Sequence, residues 1–97
     1  MTEKERALNV LRSALPDLQR RFPIRSLALF GSVARGDARA DSDLDMLVDF
    51  ARPVTLSSFL ALESELGALT GRRVDLVSRR ALKPHMGERI LREAVAL

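Results

Sequence analysis

Two aspartates one residue apart, Asp43 and Asp45, stand at the head of one apolar run, and Gly31-Ser32 closes an earlier one. A third acid, Asp75, lies in a later run, Val74-Asp75-Leu76-Val77. Alternate carboxylates on a strand share one face. Oxygen ligands with no His or Cys nearby suit a hard divalent cation, Mg²⁺ with Mn²⁺ as a substitute. A glycine after a strand allows close backbone approach to a phosphate, and the serine adds a hydroxyl. Such a set is fitted to handling a nucleotide through a bound metal, and two ions can stabilise both the attacking and the leaving oxygen of a phosphoryl displacement. Without a cation the cluster is costly. Two like charges about 4 Å apart repel by about 4 kcal/mol at an effective dielectric near 20.

The elements that must hold these residues read as follows. Leu27-Ala28-Leu29-Phe30 is a short buried strand ended by Gly31. Ser32 to Arg35 can form one helical turn, and Gly36-Asp37 and Ala40-Asp41-Ser42 carry loop and turn chemistry. Leu44 to Phe50 reads as a second strand, with Asp43, Asp45, Leu47 and Asp49 on one face and Leu44, Met46, Val48 and Phe50 on the other. Gly31 and Asp43 meet only if these two strands run antiparallel. A helix then precedes the third strand, which permits a parallel crossover and would bring Asp75 beside Asp43 and Asp45.

The flanking segments are packing elements. Thr2 and Glu5 fit a capping box ahead of a helix whose apolar face is Leu8, Leu11, Leu15, Leu18 and Phe22, kinked or split at Pro16 and ended by Pro23. Thr55 is placed as N-cap, and Val54 and Phe59 as a hydrophobic staple, for a helix facing inward with Leu56, Phe59, Leu60, Leu66 and Leu69; Gly71 ends it. Ser78 caps a short turn. A last helix begins near Pro84, with Met86, Ile90, Leu91, Ala94 and Leu97 as its apolar positions. The order is αβ(α)βαβα, an α/β fold with a small mixed sheet of three strands or slightly more flanked by helices.

Composition sets outer bounds. The 97 residues, 46% apolar and 30% charged, form one globular domain, 1–97, with a core that needs no staples. There is no cysteine, so thiolate metal sites and disulfides are excluded. No run is long enough to span a membrane, and the first residues lack a signal-peptide core, so a cytoplasmic protein is expected. Net charge is +3, and four Phe with no Trp or Tyr provide few stacking platforms, so direct nucleic-acid binding is not expected. Asp49 is expected to be a solvated strand end, Asp37 and Asp41 turn residues, and His85 a surface or capping residue. Arg72-Arg73 and Arg79-Arg80 are expected mainly on a solvated face.

Gly31-Ser32, ten intervening residues, then Asp43-Leu44-Asp45 resembles the signature of the polymerase-β-like nucleotidyltransferase superfamily. FGSVARGDARADSDLDMLVDF and the ending from Lys83-Pro84 to Val95 are similar to its minimal, MntA-type members, so the resemblance covers about residues 26–97. It implies that Asp43 and Asp45 hold the metals, two Mg²⁺ ions, that carry ATP. Asp75 would ligate the catalytic metal and help deprotonate the incoming hydroxyl, Gly31 and Ser32 would hold the terminal phosphates, and Arg35 and Ser42 would support the phosphates or the loop. Val33 departs from the pattern, in which arginine is common there. The resemblance further implies AMP transfer to a protein hydroxyl, a tyrosine of a HEPN-domain ribonuclease toxin, with this chain as antitoxin. Two alternatives stay open: an antitoxin that masks its toxin without chemistry, and a small-molecule nucleotidyltransferase.

Overall fold

The computed structural model describes residues 1–97. Helix α1 (Glu3–Arg21) starts where the Thr2 hydroxyl accepts the Glu5 N–H at 3.1 Å. It runs unbroken through Pro16, so the proline costs a hydrogen bond but does not split it. Ala7, Leu8, Leu11 and Leu18 are buried, with Leu15 and Phe22 packed at the core's edge. Strand β1 (Ile24–Phe30) starts three residues before the expected Leu27. A register irregularity between Ile24 and Ser26 leaves Arg25 and Ser26 exposed and returns Ile24 to the core. That outward pair hides the strand's start from an apolar-run reading.

Helix α2 (Gly31–Arg35), strand β2 (Leu44–Phe50), helix α3 (Leu56–Thr70) and strand β3 (Val74–Ser78) follow. Thr55 caps α3 by accepting the Ser58 N–H at 3.1 Å, and Gly71 ends it in the left-handed region at φ +66°. The face of α3 differs from the expected one. Leu62 and Leu66 enter the core with Phe59 beside them, while Leu56 is 72% and Leu60 49% exposed. This helix is apolar nearly all round, so its leucine spacing could not choose the inward side. The T-shaped contact of Phe59 with Phe50, centroids 6.4 Å apart, helps to fix it.

A 3-10 turn (Arg79–Ala81) leads to helix α4 (Pro84–Glu93) and a short strand β4 (Val95–Ala96). The last strand replaces the expected helical run through Ala94 to Leu97. Val95 and Ala96 pair antiparallel with Leu29 and Ala28, and the Leu97 N–H donates to the Leu27 carbonyl at 3.0 Å. The outer edge of β1 would otherwise carry unpaired backbone groups, and β4 satisfies them.

The sheet is therefore four-stranded and mixed, in the order β3-β2-β1-β4, with β1 antiparallel to β2 and β2 parallel to β3. Leu44, Met46, Val48 and Phe50 join α1 and α3 in one core of 16 buried residues. Leu47 is also buried but stands outside that core, as its opposite direction on β2 requires. No helix is long and apolar enough to cross a membrane.

Candidate active site

Strand pairing places the key residues. Asp45 lies on β2 between Phe30 of β1 and Asp75 of β3, in register with both. In-register neighbours share a face, so Asp45 and Asp75 project from the same side of the sheet. Gly31 follows Phe30 directly and is therefore held against Asp45. It has φ +75°, and a Cβ there would lie only 3.0 Å from the Asp45 carboxyl carbon. Both the backbone angle and the space exclude a side chain. The antiparallel β1–β2 pair and the parallel β2–β3 pair expected from the sequence are both present.

Gly31, Ser32, Arg35 and Asp45 line one cleft of about 330 Å³. A larger groove, about 510 Å³, lies between the first turn of α1 and residues Gly36 and Ala38 and contains none of the expected site residues. Asp45 and the glycine approach make the smaller cleft the chemically relevant one; Asp43 and Asp75 do not line it. Its far wall is α4, through Met86, Arg89, Ile90 and Glu93. Met86 and Ile90 stand at apolar positions of the expected last helix, whereas spacing assigns no role to Arg89 or Glu93. The resemblance of the Lys83–Val95 segment is the one signal in the sequence that bears on them.

Arg35 at the end of α2 is held by two carboxylates. Its Nε donates to Asp37 at 3.3 Å, and its Nη1 donates to Glu93 at 3.2 Å. Glu93 also faces Arg89 at 3.8 Å, so one acid gathers two cations at the rim. Ser42 does not line the cleft. Its hydroxyl accepts the Arg39 N–H at 2.8 Å, and its carbonyl accepts from Arg72, so it supports the loop before Asp43. Val33 is 1% exposed and belongs to the core.

Burial first, then the charges of Asp75 and Asp43, raise the Asp45 carboxyl above its ordinary value, with Arg35 acting weakly the other way. Asp43 and Asp75 are exposed. No three His, Asp or Glu side chains cage a metal ion by themselves, so the convergence is looser than strand placement alone implied. Asp43 precedes β2 on the turn, and like charges favour rotamers that keep them apart. The donors nevertheless fit Mg²⁺. They are hard oxygens under mutual repulsion, and this ion takes one or two carboxylates and completes its shell with water and phosphate oxygens.

Two expectations about charged residues change. Asp49 is not a solvated strand end: it is 13% exposed and faces Arg25 and Arg79, each at 3.7 Å. Arg72 is not on a solvated face, its side chain being 10% exposed and paired with Glu3 at 2.6 Å. His85 is exposed in the first turn of α4, as expected.

Residues 11–97 match the nucleotidyltransferase domain family. The chain is 42% identical over 95 residues to the protein adenylyltransferase MntA of Thermococcus cleftensis, an alignment covering 98% of this chain and 96% of that protein. A solved structure described as a minimal nucleotidyltransferase is similar at TM-score 0.81 and 42% identity, covering 100% of this chain and 97% of that one. The fold alone is shared at 19% identity with a chain from the complex of a tri-AMPylated Shewanella oneidensis HEPN toxin with MNT antitoxin, TM-score 0.61, covering 97% of this chain and 67% of that one. Strand order, glycine approach and sequence identity lead to one assignment: the chain belongs to the nucleotidyltransferase domain family, among its minimal, MntA-type members on the polymerase-β-like fold.

Proposed function

We propose that this chain is a metal-dependent protein adenylyltransferase that moves AMP from ATP to a hydroxyl of a HEPN-domain toxin, a tyrosine in the simplest case, and thereby acts as its antitoxin. The observation that carries the reading is Asp45 held in register between Phe30-Gly31 and Asp75. It is supported by the adenylyltransferase name of the relative at 42% identity and by the AMPylated HEPN toxin bound to the MNT antitoxin whose fold this chain shares.

In this reading residues 1–97 work as one catalytic domain, since one core takes residues from Ala7 to Leu76. Gly31 and Ser32 receive the β- and γ-phosphates at the mouth of α2, and Arg35 adds charge beside them. Asp43 and Asp45 would hold two Mg²⁺ ions, or Mn²⁺ in their place, that carry the triphosphate, and Asp75 would complete the set. When bound, the metal neutralises developing charge on the phosphate oxygens. Asp75, exposed and in register with Asp45, takes the proton of the acceptor hydroxyl. The hydroxyl oxygen forms its bond to the α-phosphorus as the bond to the bridging oxygen breaks, and pyrophosphate leaves.

The test is incubation with the protein encoded beside this chain, α-labelled ATP and Mg²⁺, alongside Asp43→Asn/Asp45→Asn. Label on the neighbour with the wild type alone supports the proposal. Neutralisation of the neighbour by both forms without label would replace it with masking. Label on a small hydroxyl compound but not on the neighbour would point to a small-molecule acceptor.

A further inference from the structure

Arg72 stands in the turn between α3 and β3, directly after Gly71, yet its side chain is 10% exposed. Its Nη1 donates to the Ser42 carbonyl at 2.5 Å, and its Nη2 donates to the Glu3 carboxylate at 2.6 Å and the Arg39 carbonyl at 3.4 Å. The segment it grips is a closed turn. The Ser42 N–H donates to the Arg39 carbonyl at 3.1 Å, and the Arg39 N–H donates to the Ser42 hydroxyl at 2.8 Å. On the other side of Asp43, the Leu44 N–H donates to the Arg73 carbonyl at 2.8 Å. Asp43 is thus spanned by two anchors, one behind and one ahead, both supplied by consecutive residues of another strand's entry.

We propose that Arg72 is a positioning residue for Asp43, holding the 39–42 turn so that the Asp43 carboxylate faces the cation shared with Asp45. The inference rests on the metal-dependent reading above and concerns how the site is built. The Asp43 side chain is exposed and no packing directs it. Its aim is set by the backbone on which it rides. A guanidinium suits the task because its planar fork can reach two carbonyls and a carboxylate together, whereas an ammonium group is a point charge without that geometry. Glu3 supplies the counter-charge that a guanidinium this buried needs. The first turn of α1, remote in sequence, thereby becomes part of the support for the cleft. Mutation of contacts that orient a metal's ligands typically costs about tenfold to a hundredfold in affinity.

The test uses the full chain with Mn²⁺ alone, titrated by electron paramagnetic resonance, for the wild type, Arg72→Lys, Glu3→Gln and Arg73→Gln. Arg73→Gln is the neighbouring-arginine control, since its side chain is exposed and its carbonyl anchor is retained. Arg72→Lys is expected to weaken Mn²⁺ binding roughly tenfold to a hundredfold and to speed amide exchange at Ser42 and Leu44. Glu3→Gln should show a smaller loss in the same direction, and Arg73→Gln should match the wild type. A merely structural tie would lower the melting temperature and leave Mn²⁺ binding of the folded chain unchanged, which overturns the proposal. An equal loss in Arg73→Gln also overturns it, as an effect not specific to the Arg72 side chain. Were Arg72→Lys unfolded, unchanged binding in Glu3→Gln would overturn it alone. Wild-type chain that binds no Mn²⁺ at all would instead refute the metal reading on which the inference rests, so the two failures are distinguishable.

Discussion

Replacing Asp45 by Asn should stabilise the chain at neutral pH while abolishing nucleotide transfer. Asp45 is partly buried and flanked by Asp75 and Asp43, which with burial raise its carboxyl above the ordinary 3.8. A raised acid holds its proton more tightly in the fold than in the unfolded chain. Below the ordinary carboxylate range both states are protonated and nothing is lost. As pH climbs through 3.8 and past the raised folded value, the unfolded chain ionises more readily and stability falls, and the loss persists at neutral pH. Neighbouring strands lie about 4.8 Å apart, and one like-charge pair at that spacing repels by about 3 kcal/mol at an effective dielectric near 20. Asp75 and Asp43 are exposed, and solvent screening brings the recoverable part to about 1 kcal/mol. For a chain of this size that corresponds to a melting temperature about 4–8 °C higher. Thermal unfolding followed by circular dichroism, at about pH 7.5 and about pH 3, measures it. A gain at neutral pH that vanishes in acid is expected. A variant that melts lower than the wild type at neutral pH, or gains equally at both values, refutes the reasoning.

Gly31→Ala should destabilise the chain by about 2–4 kcal/mol, combining a left-handed backbone with a methyl group driven into the Asp45 carboxyl; urea unfolding reads this, and a shift below about 1 kcal/mol would contradict the close approach. Arg35→Ala should raise the KM for ATP about tenfold with little change in melting, because it removes one charged contact at the rim; an unchanged KM would remove Arg35 from the phosphate site. Ser42→Ala should lower stability by about 1 kcal/mol and, by loosening the 39–42 turn behind Asp43, weaken Mn²⁺ binding in the same direction as Arg72→Lys; Ser32→Ala should raise the KM for ATP and leave stability unchanged, and unchanged Mn²⁺ binding in Ser42→Ala would count against the role given to that turn. Glu3, Asp17 and Glu65 are held below the ordinary carboxylate range by Arg72, Arg21 with Arg20, and Arg21 respectively. Their contribution is present above the ordinary carboxylate range and lost as pH falls through the lowered folded values, so a melting temperature that did not fall on acidification through that window would count against these pairs.

Much of the site was legible because its determinants are local. Gly31-Ser32 and Asp43-Leu44-Asp45 lie on either side of one turn, and antiparallel pairing of the two strands follows from asking both to serve one ligand. The bounds of β2 and α3 were legible for the same reason: Thr55 and Gly71 act on their own helix ends, and alternation sets β2. Apolar spacing alone could not orient α3, since leucines occupy several of its sides, and only contact with the sheet selected Leu62 and Leu66.

What the tertiary structure decided depends on partners distant in sequence. Val95-Ala96 reads as the tail of a helix until the bare edge of β1 draws it into the sheet. Arg72 and Asp49 read as solvated charges until Glu3, Ser42, Arg25 and Arg79 are brought to them. The wall that α4 adds to the cleft, with Glu93 gathering Arg35 and Arg89, is likewise invisible in spacing. The residues that can do chemistry announced themselves by type and interval, because turns and strand faces are set by near neighbours. The residues that hold them in place did not, because a side chain's burial and partners are fixed only when remote segments meet.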